Sequence, residues 1–554
     1  MATLDLVVLV TYFVGITFYG LWISRKARTP DQYFRGGRKF RWWTMMGQAF
    51  GTGTHAEMPV AQAGAAFQGG FATIWYQWKN LLITPFYWLI APWYRRSQRT
   101  TVAEMVRDRY GQVVGLVYTI FAIFFFVFIM GMMLQGAAKV ISVATGGSIS
   151  SNGVVVGMTV AFIIYSYFGG LVAAAHTEFI QGLLIIVLSF LLIPSGINEI
   201  GGLSEMRSLL PSEFFAMYSV DLGLGAFTIL MLAINGIVGI TAQPHMMSIF
   251  ASGNSEQAGR IGQTYGTFVK RFVTLGWTFT GLIVAALVIT QNVELEDPEH
   301  AFGYATRILL APGLIGLMIA CLLAANMSSC SNFMVNLGAL FVKDIYRPYF
   351  KPGISDEELL RVGKIAGLVL TLMGVLFALT IKNVLSAFLF TETIAAFMGI
   401  MIFGGFLWKG ANTTGALLSL VMAFIIYYIM NFVDTGSLQL IYRWTPEPFA
   451  WAMLAGFAML YLGSKFGPRQ QQLSKIFFDR MLHLAPDDVP AGQSTLASDH
   501  GRDLILLDAK TWFTKRRWDH FLTRYRVDWT GFLLAWGFVL FLLFLAWITI
   551  QLGK

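Results

Sequence analysis

Stretches of about 20 apolar residues, long enough to cross a hydrocarbon core of roughly 30 Å as helix, recur along almost the whole chain. Fourteen are predicted, near 4–24, 42–69, 72–93, 112–142, 152–168, 178–196, 223–252, 264–291, 309–343, 359–381, 384–408, 413–433, 447–466 and 531–550. The pattern predicts an all-α polytopic membrane protein of about fourteen transmembrane helices. The first run is expected to stay with the chain as a span. Asp5 is its only early charge, it is too long for a leader, and no small-residue cleavage site follows it.

Three places break the apolar pattern. In the second run, "QAFGTGTHAEMPVAQAG" (48–64), Gly51, Gly53 and Pro59 fall within three turns. Glycine costs a helix about 1 kcal/mol and proline about 3 kcal/mol, so this is a predicted break. Thr54 and Glu57 then form a T-x-x-E pair, the signature of a capping box at a helix restart. Broken backbone at membrane depth survives where it lines a cavity or is buried in protein, and its free carbonyls are oxygen ligands for a hard cation. The seventh run repeats the device: "NGIVGITAQPHMM" (235–247) carries Gly236, Gly239 and Pro244. Paired interruptions five helices apart predict two inverted five-helix repeats with a midplane site.

The third place is "LLAANMSSCSNFMVN" (322–336), polar in the middle of a span. Ala325, Ser328, Ser329, Asn332 and Asn336 follow i, i+3, i+4, i+7, i+11 spacing and share one helix face. Small polar residues also serve close helix packing, but two adjacent serines facing broken carbonyls supply an oxygen cage for a cation. Cys321 and Cys330 lie nine residues apart on the same predicted helix, roughly 13 Å at 1.5 Å per residue, beyond disulfide reach.

Charge sorts the connections. Arg25, Lys26, Arg28, Arg35, Arg38, Lys39 and Arg41 follow the first run, and Arg95, Arg96, Arg99, Arg107 and Arg109 follow the third. The connection before the last run is basic too, whereas Glu199, Glu205 and Glu213, then Glu294, Glu296, Asp297 and Glu299, mark alternate ones. Basic connections are expected in the cytoplasm, and both termini outside a plasma or inner membrane. A net charge of +9 then answers to topology and anionic lipid, with no nucleic-acid partner implied. Residues 1–41 are expected to form the first helix and a basic loop, 42–408 a ten-helix core, and 409–466 two peripheral helices. Residues 467–530 are read as a cytoplasmic loop ending in an amphipathic segment, and 531–554 as the last helix. Composition agrees: 56% hydrophobic and 12% charged residues, about half the charge of a soluble chain, with mean hydropathy +0.63. Nothing in the pattern sets an oligomeric state.

Several motifs resemble those of the sodium/solute symporters, a family that includes bacterial sodium/proline and sodium/galactose transporters. "YFRGGRKFRWW" (33–43) resembles the lead-in to that family's broken helix, and "YFGGLVAAAHTEFIQG" (167–182) its G-G-L-x-A-x-x-x-T-D-x-x-Q motif, with Glu178 for Asp. "QPHMMSIFAS" (243–252), "LLAANMSSCSNFMVNLGALFVKDIYRPYF" (322–350) and "FLWKGAN" (406–412) are similar to further family segments. The likeness runs over residues 3–466. It implies a LeuT-type core and sodium-coupled uptake of a small polar organic solute: a sugar, amino acid or organic acid.

Residue by residue, the resemblance implies a sodium site from the carbonyls of Gly51, Thr54 and Ala325 and the hydroxyls of Ser328 and Ser329. Gly53 stands where relatives often carry Asn or Asp, so side-chain help is absent there. A second sodium, if present, would use Glu178 and Ser331, with Asn332 where another serine stands in relatives; Glu178 at a helix start also suits the helix dipole. The pocket candidates are Gln77 and Asn80 in "YQWKN", Lys270 in "TFVKRF", and Glu57, His245 and Glu392. Glu392 is an ionisable group inside a span. Glu57 serves equally as a cap, and His245 equally as a packing residue. The seven histidines show no metalloenzyme spacing and no G-x-S-x-G occurs, so an enzyme is not expected. Proton coupling and a transporter-like nutrient sensor remain the alternative readings.

Overall fold

The computed structural model describes residues 2–24, 40–51, 53–489, 496, 503–508 and 521–554; the side chains of 13, 17, 20–21, 23–24, 161, 164–181 and 248 also lie outside that description. Among the described residues nine helices have the length and hydropathy to cross a membrane. They are Gln112–Ala144, Gly182–Ile200, Glu256–Thr290, Leu314–Phe350, Asp356–Ala378, Val384–Leu407, Thr413–Thr435, Pro446–Phe466 and Arg526–Gln551.

The other five expected spans take other forms. The first is the helix Thr3–Ser24. The second is broken into Trp42–Gly51 and Glu57–Gly69, and the seventh into Ala226–Ile240 and Met246–Ala251. Both breaks fall where glycine and proline weaken the helix. The third is cut into short turns at Phe71–Ile74 and Trp75–Trp78 ahead of Thr84–Ser97. The fifth, expected to end near 168, runs on without a break into the sixth, Gly182–Ile200, as one helix, Ser151–Ile200. Gly169 and Gly170 cost that backbone only about 1 kcal/mol each, no proline intervenes, and the alanines after them favour helix.

Close packing fixes the broken helices in place. Gly136, in Gln112–Ala144, lies against the backbone of Glu57 at the restart of the first broken helix; a methyl there would collide. Gly399, in Val384–Leu407, lies in the same way against the Val238 carbonyl of the second. Small residues let two helices approach closely where lipid gives no hydrophobic drive.

Ion pairs close one end of the bundle. Arg96 Nε meets Glu256 Oε2 at 2.7 Å, and Arg260 Nη1 meets Asp528 Oδ1 at 2.6 Å. Arg95 Nε reaches Asp488 Oδ2 at 3.0 Å, and Arg96 Nη1 donates to the Met481 carbonyl at 3.0 Å. Met481, Asp488 and the start of the last helix are therefore docked on the core. The far end of the last helix is tied separately, by Arg207 Nε donating to the Leu552 carbonyl at 2.7 Å. The expected amphipathic segment lies mostly at 511–520, outside the described residues.

Candidate functional site

The first broken helix and the serine-rich helix Leu314–Leu340 meet at one side chain. Asn326 accepts from the Ala56 amide at 2.7 Å and donates to the Met133 carbonyl at 2.6 Å. An unwound stretch leaves backbone donors without helical partners, and Asn326 takes one of them while anchoring to a third helix. Thr54, Ser328 and Ser329 beside it are all 0% exposed. The hydroxyls of Thr54 and Ser329 have no hydrogen-bond partner among the described residues. Ser328 Oγ donates to the Ala325 carbonyl at 3.0 Å, which holds two of the expected ligand oxygens together. The Gly51 carbonyl accepts from the Thr54 amide at 3.1 Å within the break. Buried hydroxyls without partners are costly in hydrocarbon, and an oxygen-seeking cation would satisfy them.

The capping box expected from Thr54 and Glu57 does not form. Ala56 is the N-cap, no side chain caps the helix, and the Thr54 hydroxyl meets no partner among the described residues. The chain turns again at residue 56, so the helix restarts two residues later than the T-x-x-E spacing requires. Glu57 is instead buried against His55 Nδ1.

Between the two breaks lies a cavity of about 70 Å³. Asn80, His245, Lys270 and Glu392 line it, along with Gly53, Gln243 and Arg271. Four of the six pocket candidates are thus brought together. Glu57 and Gln77 are buried but do not line it. His245 is packed among Phe125, Phe126 and Phe333, with centroids 6.2, 6.4 and 5.4 Å away. Glu392 is held from two sides: Lys79 Nζ lies 3.3 Å from Oε2, and Gln243 Nε2 donates to Oε1 at 2.9 Å. Lys79 also donates to Asn235 Oδ1 at 2.7 Å. A buried carboxylate needs such pairing to remain charged.

Lys79, Gln243 and Arg271 were not expected here. Lys79, between Gln77 and Asn80, is an ionisable residue in a predicted span, and that alone marks a functional candidate. The possible second sodium site is only partly in view. The Ser331 hydroxyl is buried without a partner among the described residues, while the Glu178 side chain lies outside them.

Comparisons with known proteins identify the family and the fold. The sequence model described as "Sodium:solute symporter family" matches residues 33–423. A sodium/glucose cotransporter of Vibrio parahaemolyticus is 22% identical over 470 residues, covering 78% of this chain and 85% of its own. The osmoregulated proline transporter OpuE of Bacillus subtilis is 25% identical over 463 residues, covering 80% and 92%. A substrate-bound, outward-open structure of a Na+-coupled sialic acid symporter superposes with a TM-score of 0.72 at 19% identity. It covers 85% of this chain and 99% of that one, a likeness of fold.

Proposed function

This chain belongs to the sodium:solute symporter family, and we propose that it takes its coupling sodium at the first break, from the carbonyls of Gly51, Thr54 and Ala325 and the hydroxyls of Ser328 and Ser329. It is a secondary active transporter, not an enzyme, in which sodium entry drives uptake of a small organic solute. One observation carries the site. The Thr54 and Ser329 hydroxyls are fully buried, with no hydrogen-bond partner among the described residues, beside the Ala56–Asn326 clamp. Each sodium carried inward adds about 2.3 kcal/mol of driving force per 100 mV.

The solute site is the cavity between the two breaks, with Asn80, His245, Lys270 and Glu392 on its wall; Glu57 and Gln77 support it from outside. Glu178 and Ser331 serve a second sodium. The C-terminus faces outward, and residues 467–530 are cytoplasmic. The contact of Arg207 with the end of the last helix supports this by placing that end beside an acidic, basic-poor connection. A tag at Lys554 should label on intact cells, and protection of that tag would count against the orientation. The sodium site is tested by melting purified protein in sodium and in matched potassium. Sodium should stabilise the wild type, and Thr54→Val with Ser329→Ala should remove the difference. A sodium shift that survives both changes would place the ion elsewhere.

A further inference from the structure

The charges around the solute cavity do not balance. Its lining holds one carboxylate, Glu392, among the described residues, and both oxygens are engaged by Lys79 and Gln243. Against that pair stand two more basic side chains on the wall, Lys270 and Arg271. Arg271 is 2% exposed, and a guanidinium does not give up its proton. It shares one hydrogen bond with Tyr87, but its Nε and Nη1 have no partner among the described residues. Lys270 lies against the break itself. A Cβ at Gly53 would come within 3.7 Å of its Nζ, so Lys270 adjoins the broken backbone that carries the proposed sodium ligands Gly51 and Thr54.

A buried guanidinium with idle N–H bonds is expensive, because desolvation is not repaid until an opposite charge arrives. A neutral sugar cannot supply that charge, and the coupling sodium adds to the excess. We infer that the transported solute carries a carboxylate, received by Arg271 and Lys270. The inference rests on the reading that this cavity is the solute site. In it the anion also offsets the incoming sodium beside Gly53, so that each ligand favours the other through their mutual attraction.

The test uses purified full-length protein and matched pairs: acetate and acetamide, lactate and lactamide, proline and prolinamide, with glucose and inositol as neutral polyols. Melting is followed with sodium methanesulfonate, sodium chloride or potassium methanesulfonate, none of which supplies a carboxylate, and each responding solute is titrated for apparent affinity. At least one carboxylate should stabilise the wild type in sodium and its amide should not. Arg271→Gln should weaken that carboxylate roughly tenfold to hundredfold, the range of hydrogen bonds to charged groups. Arg271→Lys, which keeps the charge, should recover part of the loss, whereas a purely structural role would give equal losses in both. Loss of the sodium shift itself would overturn the underlying transport reading. An intact sodium shift overturns this inference alone if amides or polyols act as strongly as acids, if no carboxylate responds, or if Arg271→Gln binds normally. It is overturned as well if chloride alone reproduces the Arg271-dependent effect.

Discussion

Removing the Asn326 side chain should disconnect the broken helix from its support. Asn326→Ala orphans two buried backbone groups at once, the Ala56 N–H and the Met133 carbonyl, which it holds at 2.7 and 2.6 Å. Each orphaned group costs about 1–3 kcal/mol, so the change should destabilise by about 2–6 kcal/mol, less where a water enters the space. The matched control is Asn336→Ala. Asn336 lies on the same helix and, among the described residues, its side chain bonds within it, to Asn332 Oδ1 at 2.7 Å and the Asn332 carbonyl at 2.9 Å. Its loss should cost about 1 kcal/mol or less. Melting of both variants in detergent, with and without sodium, separates the two. Asn326→Ala should melt well below Asn336→Ala and should need several-fold more sodium for half its stabilisation. Equal melting and equal sodium response would refute the view that Asn326 sets the geometry of the break.

Glu392→Gln should destabilise strongly, by about 3–5 kcal/mol, because it leaves Lys79 buried without its counter-charge; Lys79→Met should cost less, since Lys270 and Arg271 share the cavity with Glu392, and the double change should recover part of the Glu392→Gln loss in a thermal double-mutant cycle. Asp297 lies in a connection outside the spans. Burial alone would raise its pKa, but bonds from Lys139 and from the Glu299 amide, with His300 nearby, hold it below the usual carboxylate range. A depressed folded pKa gives stability that is present above the unfolded value of about 4 and is lost as pH falls through the folded one. Wild type should therefore melt above Asp297→Asn at pH 7, and the gap should shrink at pH 3. For the second sodium, initial uptake should show a Hill coefficient above one that drops to one in Glu178→Gln; hyperbolic wild-type dependence would remove that site.

The breaks were readable because glycine and proline act locally: Gly51, Gly53 and Pro244 weaken their helices whatever surrounds them. Asn80, His245, Lys270 and Glu392 were within reach through family likeness and through the rarity of ionisable groups in spans. Gln77, a pocket candidate through the likeness of "YQW" to a family motif, is buried in the single turn Trp75–Trp78 and does not line the cavity. The partners of Glu392 and Arg271 could not be read from spacing at all. Gln243 to Glu392, Lys79 to Asn235 and Tyr87 to Arg271 are contacts across more than 140 residues, created by how the helices assemble. The capping box failed for a subtler reason. Its four residues were present, but a further turn at Ala56 moved the helix start past them.

Equilibrium binding of radioactive sodium to purified protein tests the central claim most directly. Wild type should bind sodium saturably, displaced by unlabelled sodium and not by potassium. Ser328→Ala with Ser329→Ala removes both hydroxyls of the proposed cage while alanine keeps the helix, and the double variant should lose that sodium with its melting in potassium unchanged. Undiminished sodium affinity in the double variant would contradict the assignment of the coupling ion to this break.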